Sequence, residues 1–216
     1  VSGERRGERG LSERRLRWAE RLQAIAQTGL AYTEGPYDRE RYEELRHIAV
    51  EMLAAEAGVE EEPLRLVFAG GDGYPTPKVD VRAVVFREGK VLLTLEKADG
   101  GWTLPGGWAD VGSSPREMAE RETREETGYE VRAGKLLAVL DKRKDPEHPV
   151  RPSHVYKLFI RCELVGGEAR ETLETAGSDF FARDALPNLS LDRTTRAQLA
   201  RMFQHLDDPD RPTDVD

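Results

Sequence analysis

The stretch LPGGWADVGSSPREMAERETREETGY, Leu104 to Tyr129, decides how the rest of the chain is read. Ser114-Pro115-Arg116-Glu117 has the form of a capping box with proline at the first helical position, and Gly128 supplies the stop. The spacing predicts one helix over Pro115 to Thr127, entered from a glycine-rich loop. On that helix Glu122, Glu125 and Glu126 stand at i, i+3 and i+4, so three carboxylates fall within an arc of about 100°. Like charges at this spacing repel by roughly a few tenths of a kcal/mol per pair, and by more where the face is partly buried. Hard divalent ions such as Mg²⁺ take oxygen ligands and leave positions for water and phosphate, so the constellation suits a metal that also grips a phosphate. The plainer reading is a solvated face laced by pairs such as Glu117 with Arg121 and Arg121 with Glu125. What favours the metal is the context, a loop-helix-loop unit of fixed length with its acids at defined offsets.

Working outward, the rhythm before and after this unit differs. Val79 to Phe86 and Val91 to Leu95 are short β-branched and apolar runs joined by Arg87-Glu88-Gly89-Lys90, which predicts a hairpin. Strands are expected again at Val131 to Leu140, Val155 to Leu164 and Phe180-Phe181, and a closing helix at Asp192 to Leu206. Towards the N-terminus, Trp18, Leu22, Ile25 and Ala26 recur at helical spacing. Leu45, Ile48, Ala49, Met52 and Leu53 repeat the pattern, with Asp38 as cap and Gly58 as stop. The expected organisation is a flexible start at 1–11, a helical hairpin at 12–65, a mixed α+β domain at 66–206 and a disordered acidic tail at 207–216. The dense punctuation from Gly70 to Pro77 marks the link.

With 216 residues, 38% of them hydrophobic, the chain is long enough for one ordinary domain and an appendage. A net charge of −8 repels polyanions as a whole, which argues against extended nucleic-acid binding. The lone Cys162 cannot form an intrachain disulfide and lies in an alternating run, where a buried, inert thiol is expected. Nothing resembles a signal peptide or an apolar run of membrane-spanning length, so a cytoplasmic location is the default.

The stretch resembles the Nudix box, in which Gly is followed after five residues by Glu and after seven more by Arg-Glu-apolar-x-Glu-Glu-x-Gly-apolar. Gly107 opens it here, and Arg121-Glu122-Thr123-Arg124-Glu125-Glu126-Thr127-Gly128-Tyr129 completes it. Ser113 stands where the first Glu belongs, and Thr123 replaces a bulkier apolar residue. In the family that first Glu helps brace the loop through the motif's Arg, here Arg121. The run from Trp18 to Leu30, with Pro36-Tyr37-Asp38 and Arg41-Tyr42, is similar to the helical extension of a bacterial Nudix subgroup acting on X-linked nucleoside diphosphates. That subgroup is similar to CDP-choline pyrophosphatase. Further matches at Asp141-Lys142-Arg143, His154-Val155-Tyr156-Lys157, Glu174-Thr175 and Leu186-Pro187 spread the likeness over most of the chain.

The resemblance implies an α/β/α sandwich with a mixed sheet, preceded by a small helical hairpin. It implies a pyrophosphohydrolase with Mg²⁺ or Mn²⁺ on Glu122, Glu125 and Glu126, Arg121 beside them, and a later acid, Glu174 ahead of Glu171. Lys142, Arg143 and His154 sit in a locally basic segment with Lys144, His148 and Arg151, and are candidates for substrate contact or an ordinary charged loop. Trp102 and Trp108 flank the glycine-rich turn and could stack on a base or pack at the loop's root. The expected substrate is a nucleoside diphosphate linked to X, with CDP-choline first and ADP-ribose or a nucleotide sugar second. Two rivals stand beside it: a non-catalytic nucleotide-sensing module, favoured by Ser113, and an RNA-end hydrolase or RNA binder, favoured by Lys142 to Lys144 and the Arg-rich start. The unshared apolar surface of the hairpin points to a homodimer through the N-terminal helices.

Overall fold

The computed structural model describes residues 2–57, 73–149 and 153–216, with side chains from residue 14 onward. The chain divides into two compact units, Val1–Thr76 with Val150–Ser153, and Pro77–Pro149 with His154–Asp216.

The first unit is a helical hairpin of α1 (Ser2–Tyr32) and α2 (Pro36–Ala57). Ala19, Gln23 and Ala26 of α1 and Ala49, Val50, Leu53 and Ala54 of α2 are buried. Small residues let the helices approach closely. At Gly29 a Cβ would come within 2.4 Å of the Tyr42 ring, so glycine is what allows that ring to lie against α1. The predicted apolar stripes split: Ala26, Ala49 and Leu53 are covered, whereas Trp18, Ile25 and Ile48 are exposed. Two expectations are corrected. Helix α1 begins at Ser2 rather than near Ser12, so the stretch expected to be flexible is part of the helix. Helix α2 starts at Pro36, so Asp38 is an acid of the first turn and not the cap. The helix stop at Gly58 and most of the glycine-rich link lie outside the described residues.

The second unit is a mixed sheet between two helices. Strand β1 (Lys78–Arg87) runs antiparallel to β2 (Lys90–Glu96) through the expected hairpin, with Phe86 opposite Val91. Glu88 and Gly89 both adopt positive φ, 53° and 75°, which matches a tight turn to the right-handed twist of the strands. After β3 (Trp102–Thr103) and β4 (Gly106–Trp108) comes α3 (Pro115–Thr127), with the bounds the capping signals predict. The remaining elements are β5 (Tyr129–Asp141), β6 (Val155–Gly167), β7 (Thr175–Phe181), α4 (Arg196–Asp207) and β8 (Asp214–Val215). The sheet order is β3-β2-β1-β6-β5-β8, with β4 on β1 and β7 on β2, and β1 pairs parallel with β6.

Strand alternation distributes β1 between two cores. Val81, Ala83 and Val85 join Met118 and Ala119 of α3, and Val84 joins Leu199, Met202 and Phe203 of α4. This is the α/β/α arrangement expected from the sequence. Cys162 is buried as expected, and burial pushes its thiol up to about 12. The closing helix is shorter than expected: Ser190 accepts N–H bonds from Arg193 and Thr194 in a turn, and Thr195 caps α4 in a box with Gln198.

The acidic tail is a further correction. Rather than being disordered, β8 pairs parallel with β5, Lys135 donates to the carbonyls of Pro209 and Arg211 at 2.8 and 2.6 Å, and Thr213 donates to Leu136. Polar composition removes an apolar core from such a segment but does not stop its backbone from completing an open sheet edge.

On the α4 face of β1 and β6 the sheet buries three charges. Asp80 accepts from Arg82 at 2.9 Å and from Lys157, and all three residues are nearly inaccessible. Burial alone would push the Asp80 carboxyl up, but Arg82 and Lys157 together hold it below the usual carboxylate range. Removing Asp80 strands two cations, whereas removing Lys157 leaves Asp80 with Arg82. Asp80→Asn is therefore expected to cost about 3 to 5 kcal/mol in urea unfolding, and Lys157→Met clearly less. Equal losses for the two variants would contradict this charge assignment.

Candidate active site

Helix α3 is fixed at both ends by local chemistry. Ser114 N–H donates to Glu117 at 2.8 Å, Glu117 N–H returns a bond to Ser114 Oγ at 3.3 Å, and Gly128 closes the helix with φ 81°. Met118, Ala119 and Thr123 face the sheet, Thr123 donating to the Ala119 carbonyl. That orientation determines where the three carboxylates lie. Glu126 is buried, Glu122 half-buried and Glu125 exposed.

Glu126 accepts the Gly106 N–H at 2.9 Å. Gly106 has φ 133° and lies so close to β1 that a Cβ would stand 2.0 Å from the Val81 carbonyl oxygen, so only glycine lets the loop present this N–H. Burial pushes the Glu126 carboxyl up to about 8 against the pull of Arg82, and Glu96 and Glu122 add to the rise. The Glu122 carboxyl is also raised, first by burial and then by Glu125 and Glu174, with Arg121 opposing. Arg121 lies 3.5 Å from Glu122 and donates to Asp110 at 2.5 Å.

Glu174 and Glu171 separate clearly. Lys97 N–H donates to the Glu174 carbonyl at 3.1 Å, and Thr175 Oγ1 donates to the Glu126 carbonyl at 2.5 Å, which seats the Glu174 loop against the end of α3. The Glu174 charge is felt at both Glu122 and Glu96. Glu171 is instead paired with Lys97 at 2.8 Å. Sequence reasoning missed Glu96, the buried last residue of β2, paired with Arg193 at 3.4 Å. It also missed Arg82 and Asp110. Glu96 and Arg82 carry no local signal, since pairing of β1, β2 and β7 brings them to the site. Asp110 lay within the quoted loop but outside the motif's specified positions.

The three helix acids do not form a ready-made cage: among the described residues no group of three or more His, Cys, Asp or Glu side chains could hold a metal ion. Glu126 is engaged by Gly106 and Glu122 lies beside Arg121, so each has its own partner.

The basic segment is largely bound up in structure. Lys142 donates to the carbonyl and carboxylate of Asp192 at 2.6 and 2.8 Å. Arg143 donates to Asp141 at 3.3 Å and lies 2.6 Å from His154 Nε2. His148 is buried between the Leu191 carbonyl at 2.6 Å and Gln198 at 2.7 Å, while Glu147 accepts the Arg196 and Ala197 N–H groups at the start of α4. Arg151 lies outside the described residues. Trp102 packs edge-on against Phe181 with ring centroids 4.6 Å apart and stays partly exposed, whereas Trp108 is 55% exposed with the Lys78 ammonium 5.5 Å from its ring.

A sheet flanked by two helices, with a glycine-rich loop feeding a helix of three aligned glutamates, defines a Nudix pyrophosphohydrolase carrying an added helical hairpin. Comparison with known proteins agrees. Residues 76–206 match the NUDIX domain, and residues 13–68 match the family described as "UDP-X-like, N-terminal oligomerisation domain". The chain belongs to the Nudix family. It is 46% identical over 201 residues to the Bacillus subtilis protein named "Putative ADP-ribose pyrophosphatase YjhB", covering 93% of this chain and 96% of that one. A crystal structure of a UDP-X diphosphatase is 35% identical, with a TM-score of 0.61 over 95% of this chain and 99% of that one. An ADP-ribose pyrophosphatase from Streptococcus suis is 42% identical, with a TM-score of 0.60 over 65% of this chain and 100% of that one. Among the described residues no helix is long and apolar enough to cross a membrane.

His148 generates a pH test. Burial, with Lys157 and Lys142 adding, pushes its imidazole down to about 4. A histidine lowered on folding gives stability that is complete above its unfolded value near 6.5 and is lost as pH falls towards 4. Between about pH 7.5 and 4.5 the wild type should lose roughly 2 to 3 kcal/mol more than His148→Asn. Parallel stability profiles in urea titrations would refute a buried neutral imidazole.

Proposed function

We propose that the chain is a divalent-metal-dependent hydrolase that cleaves the pyrophosphate linkage of a nucleoside diphosphate linked to X, releasing a nucleoside monophosphate and a phosphorylated X. The observation that carries this reading is the seating of Glu126 and Glu122 beside the Gly106-Gly107 loop, with Glu174 and Glu96 within electrostatic reach. ADP-ribose and UDP-linked compounds are our first candidates, ahead of CDP-choline, a ranking supported by the names of the similar proteins.

The donor set fits a hard cation. Glu122, Glu125 and Glu126 offer only carboxylate oxygens, and two of them are held in the neutral direction by burial and by one another, the condition a divalent ion relieves. These three residues would hold Mg²⁺ or Mn²⁺, which when bound supplies phosphate charge neutralisation and an acidified water. Arg121 orients Glu122, and the charge of Glu174, just before β7, acts on Glu122. Arg143, Lys142 and His154 are the proposed contacts for the distal part of the substrate. Trp102 is retained as a contact through its unburied part.

The nucleotide-sensing alternative rests on Ser113 alone, and the bond from Arg121 to Asp110, an acid in the same loop, supports the catalytic reading over it. The net charge of −8 weighs against the RNA alternative. The exposed Trp18, Ile25 and Ile48 of the hairpin, together with the match to an oligomerisation domain, support a homodimer through the N-terminal helices.

Glu125→Gln and Glu126→Gln should each lower kcat/KM for the best substrate by about 100-fold or more at saturating Mg²⁺. Glu126→Gln should keep or raise the Tm in chelator, because burial opposes its ionisation. Wild-type rates in both variants, or turnover only of free nucleoside triphosphates, would remove the assignment. Light scattering should give twice the 24.3 kDa of one chain, and Trp18→Glu with Ile25→Glu should give the monomer. A monomeric wild type at micromolar concentration contradicts the dimer.

A further inference from the structure

We infer that Asp110 is a positioning residue for the metal-facing helix, taking through space the part that position 113 cannot play with serine. The inference rests on the reading of α3 as the metal-binding helix. Its basis is a chain of contacts from loop to helix to site. Asp110 Oδ2 accepts from Arg121 at 2.5 Å, and the same guanidinium lies 3.5 Å from Glu122. The Glu122 carboxylate in turn stands against Gly107, 3.6 Å from where a Cβ would project.

The backbone of the loop is arranged to deliver that aspartate. Ser113 N–H donates to the Asp110 carbonyl at 3.2 Å, which closes a turn from Asp110 to Ser113. Gly112 occupies φ 92° with open space around it, so the turn itself, and not crowding, requires glycine there. Val111 is fully exposed at the tip. The turn shortens the path, so an aspartate three residues before Ser113 faces Arg121 across the loop mouth. Ser113 contributes its backbone, and Asp110 contributes the charge.

Two properties make this a positioning contact more than a structural one. The pair lies at the surface, with the Asp110 side chain 63% and the Arg121 side chain 32% accessible, so it adds little to stability. Its other effect is directional. With Asp110 present the Arg121 guanidinium is drawn towards the loop, which keeps it at the edge of Glu122. Without Asp110, Arg121 can close fully on Glu122, compete with a cation for that carboxylate, and let the loop after Gly107 drift.

The experiment uses the full chain and four variants: Asp110→Asn, Asp110→Glu, Ser113→Glu, and Asp110→Asn with Ser113→Glu. Three quantities are read: kcat and KM on the best nucleoside diphosphate substrate, Mn²⁺ affinity by calorimetry, and Tm. Asp110→Asn should lower kcat and Mn²⁺ affinity each by about tenfold, with Tm unchanged and KM for substrate little affected. Asp110→Glu and the double variant should recover most of both losses, and Ser113→Glu alone should stay near wild type. Asp110→Asn within twofold of wild type in kcat and Mn²⁺ affinity overturns the inference, as does a double variant no better than Asp110→Asn. A wild type that neither binds Mn²⁺ nor hydrolyses any substrate of the class fails the functional reading itself, and the inference with it.

Discussion

The contact on which the site depends is the bond from Gly106 N–H to the Glu126 carboxylate. It joins a loop, a strand and a helix in one place, because Gly106 is paired with Arg82 across β1 and β4 while Glu126 ends the acidic face of α3. The bond forms only because the loop backbone lies against Val81 at a distance that no side chain would allow. Once the contact is made, the helix cannot rotate without losing it. Its apolar side, Met118 with Ala119, is then committed to the sheet, and Glu122 and Glu125 take their orientation from it. Thr175 adds a second tie by donating to the Glu126 carbonyl, which brings the Glu174 loop to the same helix end.

Placing a carboxylate in that position is electrostatically expensive, and the surrounding charges show how the cost is contained. Arg82 is buried within electrostatic reach of Glu126, but it is held by Asp80 and reaches the Leu104 carbonyl at 3.0 Å, so it does not neutralise Glu126. Lys157 in turn balances Asp80. The network leaves Glu126 with its carboxyl still raised, and Glu96 with its own raised against Arg193 and Arg82. A protein selected only for stability would replace such groups with apolar ones. Retaining acids whose charge is incompletely matched is consistent with the proposed site for a cation and a phosphate, and an ordinary solvated helix with Glu–Arg pairs would not bury Glu126.

The sequence disclosed what local chemistry controls. Helix α3 was legible to the residue because its cap, its proline and its glycine act within a few positions, and the hairpin at Glu88-Gly89 was legible for the same reason. What was hidden depends on pairing between distant segments. Asp80 and Arg82 interrupt the expected apolar run of β1, and nothing near them in sequence indicates that Lys157 lies in register beside Asp80. Glu96 reads as the polar end of a strand until β7 brings Thr175 opposite it. The ordered tail was misread because composition measures burial, whereas Lys135, Thr213 and the β5 backbone hold the segment by hydrogen bonds.

The basic segment from Lys142 to His154 shows the same limit from the opposite side. In sequence it is a run of cations, and cations suggest phosphates. In the fold several of them are already engaged: Lys142 reaches Asp192, His148 is buried against Gln198 of α4, and Arg143 shares Asp141 with His154. The acids of the segment are engaged as well, with Glu147 and Asp145 closing the N-terminal end of α4. The segment therefore locks the helix on the far face of the sheet to the ends of β5 and β6. Arg143 and His154, at its outer edge, are partly exposed, with side chains 38% and 30% accessible. Charge counted along a chain measures what a segment could attract; the fold determines how much of that attraction remains for a ligand.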